Sequence, residues 1–304
     1  MARDWGALSD AGSVNKASAG SLFVLAAAVL WGTTGTAQAF APESAGPLSV
    51  GAVRIAAGGI AMLGFAVLRG ELRGIGNWPP LATAGMALAV AAYQPLFFAG
   101  VSLTGVAVGT VAAIGSAPVW AGLIGLLFGG KKPSARWALA TALAVAGCVL
   151  LLLGSGAGSI SADPLGVLLC LAAGLGYVIF ATIAKGFLRT KPQAAVMSVV
   201  FSLGALALSP AILFTDFSWL AEPRGALAAA ELGLLATAAA YLLFAAGLAR
   251  VPVATAATLS LAEPLTAGTL GVLLLNERLS PAAITGIALL LSGLILTSTT
   301  SSDK

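Results

Sequence analysis

The sequence predicts an all-α integral membrane protein, ten transmembrane helices arranged as two inverted five-helix repeats. Three observations carry that expectation. The chain of 304 residues is 59% hydrophobic and 9% charged, with a mean hydropathy of +1.01, whereas a soluble domain is about a quarter charged. Its apolar residues run in long unbroken stretches, each near the ~20 needed for a helix to cross a bilayer. Barrel strands would alternate apolar and polar residues instead. Finally, the two halves match in one ungapped register 146 residues apart.

Taken in order, residues 1–19 are polar, with Arg3, Asp4, Asp10 and Lys16, and read as a cytoplasmic tail. The first apolar run is 20–40. Ala37-Gln38-Ala39 has the small-residue look of a signal-peptidase site, but the preceding flank is nearly neutral, so a retained span is expected. Further spans are expected at about 48–68, 79–100, 104–129, 135–154, 164–185, 193–214, 225–249, 252–275 and 279–299. Short Gly-, Pro- and charge-bearing links separate them, such as Ala41-Pro42-Glu43, Lys191-Pro192 and Asn276 to Pro281. The organisation is therefore a first repeat at 20–154, a second at 164–299 and a tail at 300–304, with no room for a soluble domain.

Charge sets the orientation, because cytoplasmic loops carry the excess of Lys and Arg. With both termini cytoplasmic, 12 of the 15 basic residues fall inside, Arg224 and Arg278 fall outside, and Arg54 lies within a span. The opposite orientation reverses the ratio. A cell inner membrane location follows as the expectation. The absence of histidine removes the commonest general base and metal ligand. Cys148 and Cys170 lie within apolar runs and read as small core residues. No metal site and no cofactor are expected.

In the 146-residue register Pro118 falls on Pro264, Ser134 on Ser280, Gly147 on Gly293, Trp31 on Tyr177 and Thr36 on Thr182. Five spans is an odd number, so the second copy is upside down relative to the first. Inverted repeats with interrupted helices at mid-membrane point to a transporter working by alternating access.

The chemistry centres on 259–280, LSLAEPLTAGTLGVLLLNERLS, an apolar run broken by Glu263-Pro264. Proline removes a backbone donor, so the Ser260 carbonyl is expected to lack its helical partner. A carboxylate at this depth is costly and marks a pathway. Glu263 reads either as a proton- or amine-binding acid in a central cavity, or as a structural acid paired with Arg54. Arg54 reads as a fork for a substrate carboxylate, or as a snorkelling or helix-clamping residue, with the structural role favoured. Glu231 is placed near the interface and Glu277-Arg278 at a helix end.

Trp31, Thr34 and Gln38 are spaced to share one helix face. Tyr93-Gln94 precedes Pro95, Ser116 and Trp120 flank Pro118, and Thr237 and Tyr241 share a face. With Tyr177, Ser260 and Glu263 these are the candidates for a cavity that stacks on a ring and hydrogen-bonds a small solute. The alternative is interfacial anchoring, as read for Trp5, Trp78, Trp137 and Trp219. Pro95, Pro118 and Pro264 are the hinge candidates. Gly125-x4-Gly130-Lys131 lacks the following Ser or Thr of a phosphate loop, since Lys132 stands there. Among the 38 glycines, Gly105-x3-Gly109 and Gly125-x3-Gly129 suit close helix packing. A homodimer is compatible with them but not required.

These residues resemble the EamA-type members of the drug/metabolite transporter superfamily. The resemblance rests on LWGTTGT at 30–36, Arg54 early in the second span, EPLTAGTLGVLLLNERLS, and a last span bearing Gly286 and Gly293. The first span and the overall length are most similar to YddG-type exporters of aromatic amino acids. Many members carry an acid at the end of the fourth span, where Lys131 stands here, opposite Glu277 in register. The resemblance implies a secondary transporter exporting amino acids, aromatic or large neutral ones favoured, and related small metabolites. A drug or nucleotide-sugar carrier of the same fold is the alternative. An intramembrane enzyme would need a nucleophile with a base, and a channel would need a continuous lined pore. The expected partners are a small-molecule substrate and the lipid bilayer, with no nucleic acid.

Overall fold

The structure, a computed structural model, describes residues 4–73, 76–129, 134–154, 163–275 and 280–300. All regular structure among them is helical. The helices are α1 (Asp4–Gly32), α2 (Thr34–Phe40), α3 (Pro47–Leu68), α4 (Pro80–Thr104), α5 (Val106–Thr110), α6 (Ser116–Gly129), α7 (Ala135–Gly154), α8 (Pro164–Phe187), α9 (Gln193–Leu208), α10 (Pro223–Ala230), α11 (Ala240–Leu248), α12 (Val253–Leu259), α13 (Ala262–Leu275) and α14 (Pro281–Thr300). Wider π turns join α5 to α6 over Val111–Gly115 and α10 to α11 over Glu231–Ala239. Proline opens α3, α4, α8, α10 and α14. At a first helical position its missing N–H is one that the helix would leave unpaired anyway, and its fixed φ suits the turn.

Nine helical stretches among the described residues are long and apolar enough to cross a membrane. They include the composite stretches Ala17–Phe40, Val108–Phe128, Pro223–Leu248 and Val253–Leu274. The region expected to hold the seventh span contains a shorter apolar helix, α9, continued by a 3-10 turn over Ser209–Phe214. The polar N-terminal segment is helical from Asp4 onward. Lys131, Lys132, Glu277 and Arg278, which carried expectations about helix ends, lie outside the described residues. Trp219 departs from its expected anchoring role. It is fully buried against Val50 and Leu232, and its indole N–H donates to Ser49 Oγ at 3.1 Å.

The packing follows the 146-residue register. α7 lies along α14, and α3 along α9, so each of these pairs maps onto itself when the halves are exchanged. The α4–α8 contact maps onto α11–α1, and α4–α9 maps onto the contact between α3 and the Glu231–Ala239 turn. The α7–α14 pair shows why glycine is needed. A Cβ on Gly147 would meet the Gly286 carbonyl at 2.6 Å and the Leu290 amide, and one on its mate Gly293 would meet the Ala140 carbonyl at 2.6 Å. Small residues let the two backbones touch, which is how helices associate where lipid removes the hydrophobic drive.

Both interrupted helices break at the same register. α6 begins at Ser116 after its π turn, and α13 begins at Ala262 after the turn at Ser260-Leu261. Pro118 and Pro264 are each the third residue of the helix that follows. A first-turn proline loses no helical bond. The expectation of an unpartnered Ser260 carbonyl is therefore corrected: it accepts the Glu263 amide at 3.0 Å. Pro95 does not interrupt α4, which runs through it from Pro80 to Thr104.

Candidate functional site

A cavity of about 80 Å³ lies where the two breaks face each other. Trp31 reaches it from α1, Arg54 from α3, Tyr93 and Gln94 from α4, Tyr177 from α8 and Tyr241 from α11. Ser260 and Glu263 reach it from either side of the α12–α13 turn. Ala113, Ile114, Ala117, Gly174 and Ala257 complete the lining. These small apolar residues make the space by what they lack, and nothing in their chemistry marks them in sequence.

The polar groups are held individually. Ser260 donates its hydroxyl to Ala256 O at 2.9 Å. Its one proton thus used, it accepts from the Tyr177 hydroxyl at 3.0 Å. Arg54 donates from Nε to Thr237 Oγ1 at 3.3 Å, and Thr237 donates to Leu232 O at 2.7 Å. Arg54 and Glu263 face one cavity without a salt bridge between them. An aromatic wall backs it. Ring centroids lie 5.0 Å apart for Trp31 and Tyr241, 5.3 Å for Trp31 and Phe244, and 4.4 Å for Phe201 and Tyr241.

Not every candidate arrives there. Thr34 and Gln38 do not line the cavity, because the helix breaks at Thr33 and the face they were to share with Trp31 is interrupted. Trp120 packs against Ala117, Ala121, Val178 and Ala257 instead. Ser116 turns its hydroxyl back to Ala113 O at 3.2 Å. Thr237 is fully buried behind Arg54 and acts through it. Arg54 lines the cavity and is at the same time bonded to Thr237 of the neighbouring π turn. Glu231 accepts the hydroxyl of Thr33, at the break between α1 and α2, and its second oxygen is buried without a protein partner. An acid opening a π turn was the available signal, but its partner lies 198 residues away in sequence.

The EamA-like transporter family matches this chain twice, over residues 18–153 and 164–299. The chain belongs to the EamA-like transporter family. It is 48% identical over 278 residues to the "Uncharacterized transporter YwfM" of Bacillus subtilis (strain 168), covering 91% of this chain and 93% of that one. It is 28% identical over 284 residues to an "Uncharacterized transporter" of Archaeoglobus fulgidus, covering 91% and 95%. A protein crystal structure 22% identical in sequence superposes with a TM-score of 0.79, over 92% of this chain and 96% of the other, which shows the fold. The protein is a multi-pass membrane transporter with two EamA repeats. Residues of both repeats line the cavity.

Proposed function

We propose that this transporter exports amino acids, aromatic or large neutral ones favoured, by alternating access through ten spans in two inverted repeats. One observation carries the reading: a guanidinium and a carboxylate face the same cavity unpaired, beside an aromatic wall. A free amino acid is the complement of that arrangement. Its carboxylate meets the Arg54 fork, its ammonium meets Glu263, and its side chain lies on Trp31, Tyr177 and Tyr241. Leaving two opposite charges apart in a membrane is costly unless a ligand completes them. YddG-type exporters are the subtype that fits this chemistry.

The excess of Lys and Arg on one side supports a reading with both termini in the cytoplasm, and on that reading the membrane is a cell inner membrane. Amino acid then leaves the cell as the halves rock about the cavity. A proton and a substrate ammonium compete for Glu263, so exchange of one for the other is a route to proton-coupled export. If Glu263→Gln transports at the wild-type rate between pH 5 and 8, that coupling is refuted. A nucleotide-sugar carrier would need several bases in the cavity, whereas Arg54 is the lining base. A cationic drug would use Glu263 and leave Arg54 repelling it.

The test is purified protein in liposomes loaded with an amino-acid panel, with efflux followed with and without a pH gradient. Saturable, counter-substrate-stimulated efflux of phenylalanine-like or leucine-like substrates is expected, which also separates a carrier from a channel. Flux of a cationic drug or phosphorylated sugar in place of any amino acid would discard the substrate and keep the fold.

A further inference from the structure

The two ends of the transport path are not equally closed. At one end α8 packs on α11 and α12, and α12 packs on α6. The register mates of these pairs lie at the other end: α1–α2 with α4 and α5, and α13 with the α5–π stretch. Among the described residues those mates make little or no contact with one another. Burial agrees. Ala184, Leu248 and Val251 are 0%, 0% and 1% exposed. Their mates Gln38, Ser102 and Gly105 are half-buried, exposed and half-buried.

Across the closed end runs Lys185. Its Nζ, at the end of α8, donates to Leu248 O and Val251 O, both at 2.6 Å. Those carbonyls belong to the end of α11 and the turn leading to α12, where helical partners run out. α8 packs mainly with α4, the Val111–Gly115 turn and α6, and α11 mainly with α1 and the Glu231–Ala239 turn. The lysine therefore ties one register-related group of helices to the other. Its mate is Ala39, exposed and unable to make such bonds.

We infer that Lys185 is a one-sided latch, which holds this end of the path shut and biases the resting protein toward opening at the end where Ala39 stands. Opening the latched end separates α8 from α11 and breaks two charge-assisted hydrogen bonds that water must replace. At the opposite end the register mate of the lysine, Ala39, has no side-chain donor to offer. This inference rests on the transport reading for its consequence, a carrier that waits with its site presented to one side, but its test requires no flux.

Tyr177, Ala181 and Lys185 are spaced on one face of α8, from cavity to latch; the register mates of Ala181 and Lys185 are Gly35 and Ala39 of α2, beyond the break at Thr33, and both are exposed. Gly35 is exposed, with open space where a Cβ would stand. The experiment measures labelling of Ala181→Cys and Gly35→Cys by a hydrophilic maleimide in purified protein. The buried Cys148 and Cys170 of the parent set the background. The inference expects slow labelling at 181 and fast labelling at 35. Adding Lys185→Met, which keeps the stem and removes the donors, should speed labelling at 181 about tenfold. It should also slow labelling at 35.

Unchanged labelling at 181, or faster labelling at both positions, overturns the latch; the second outcome would mean that Lys185 only caps a helix. Should Lys185→Met fail to fold, Ala39→Lys builds the latch at the other end and must slow labelling at 35. Failure of Ala39→Lys to slow it overturns the inference. Absence of amino-acid flux alongside the expected labelling would remove the proposed substrate and leave the latch.

Discussion

The two interrupted helices, α5–π–α6 and α12–α13, are built alike and do different work. Each breaks at the same register, and each restarts with a proline as its third residue. Between break and proline, however, one carries Ala117 and the other Glu263, and both line the cavity. The second charge is equally one-sided, since Arg54 has Val200 as its mate, fully buried in the core. The two halves share a frame of broken helices, and the charged lining groups stand on single copies within it.

Breaking that asymmetry should have graded effects. Glu263→Gln keeps shape and hydrogen-bonding capacity but removes the charge that would meet an ammonium. Amino-acid efflux should fall at least about thirtyfold with the protein still monodisperse, as for truncation of one partner of a buried charge pair. Moving the acid to the other half, Glu263→Ala with Ala117→Glu, should leave efflux as low as in Glu263→Gln, because the site needs the acid on one wall. Recovery of efflux would mean that the halves are interchangeable. Arg54→Lys keeps the charge but loses the planar fork and the bond to Thr237, so apparent affinity should weaken about tenfold, read as a raised KM.

Two further changes separate frame from chemistry. Gly147→Val forces a side chain into the α7–α14 contact and should cost about 1–3 kcal/mol, seen as a lower Tm in detergent. Efflux per folded molecule should change little. Tyr177→Phe removes the hydroxyl that donates to Ser260 and should cost about 1 kcal/mol at most, with a change of a fewfold in efflux.

The frame was legible because its causes are local and repeated. Long apolar runs, prolines at helix starts and the matched Gly147 and Gly293 need no knowledge of distant partners. The shared break was legible through Pro118 and Pro264, although the register of the turn was not. Proline in a first turn marks where a helix resumes, and the break itself lies at Ser260-Leu261. Tyr93, Tyr177, Tyr241, Arg54 and Glu263 stand out in the sequence because such residues are rare within long apolar runs, and all five line the cavity. What stayed hidden depends on groups far apart in sequence. Trp219 is buried because Ser49 offers it an acceptor, and the kink at Thr33 pairs with Glu231. Thr34 and Gln38 were misplaced because helical spacing was extended through that kink.

The central claim is that Arg54 and Glu263 together hold a zwitterion, and counterflow into liposomes tests it most directly. Labelled phenylalanine is taken up against unlabelled phenylalanine, its N-acetyl derivative or its amide, by wild type and by Glu263→Gln. Free phenylalanine should support saturable exchange, neither derivative should compete well in wild type, and Glu263→Gln should exchange little. Equal exchange by Glu263→Gln, or N-acetyl-phenylalanine competing as well as phenylalanine, would contradict the claim.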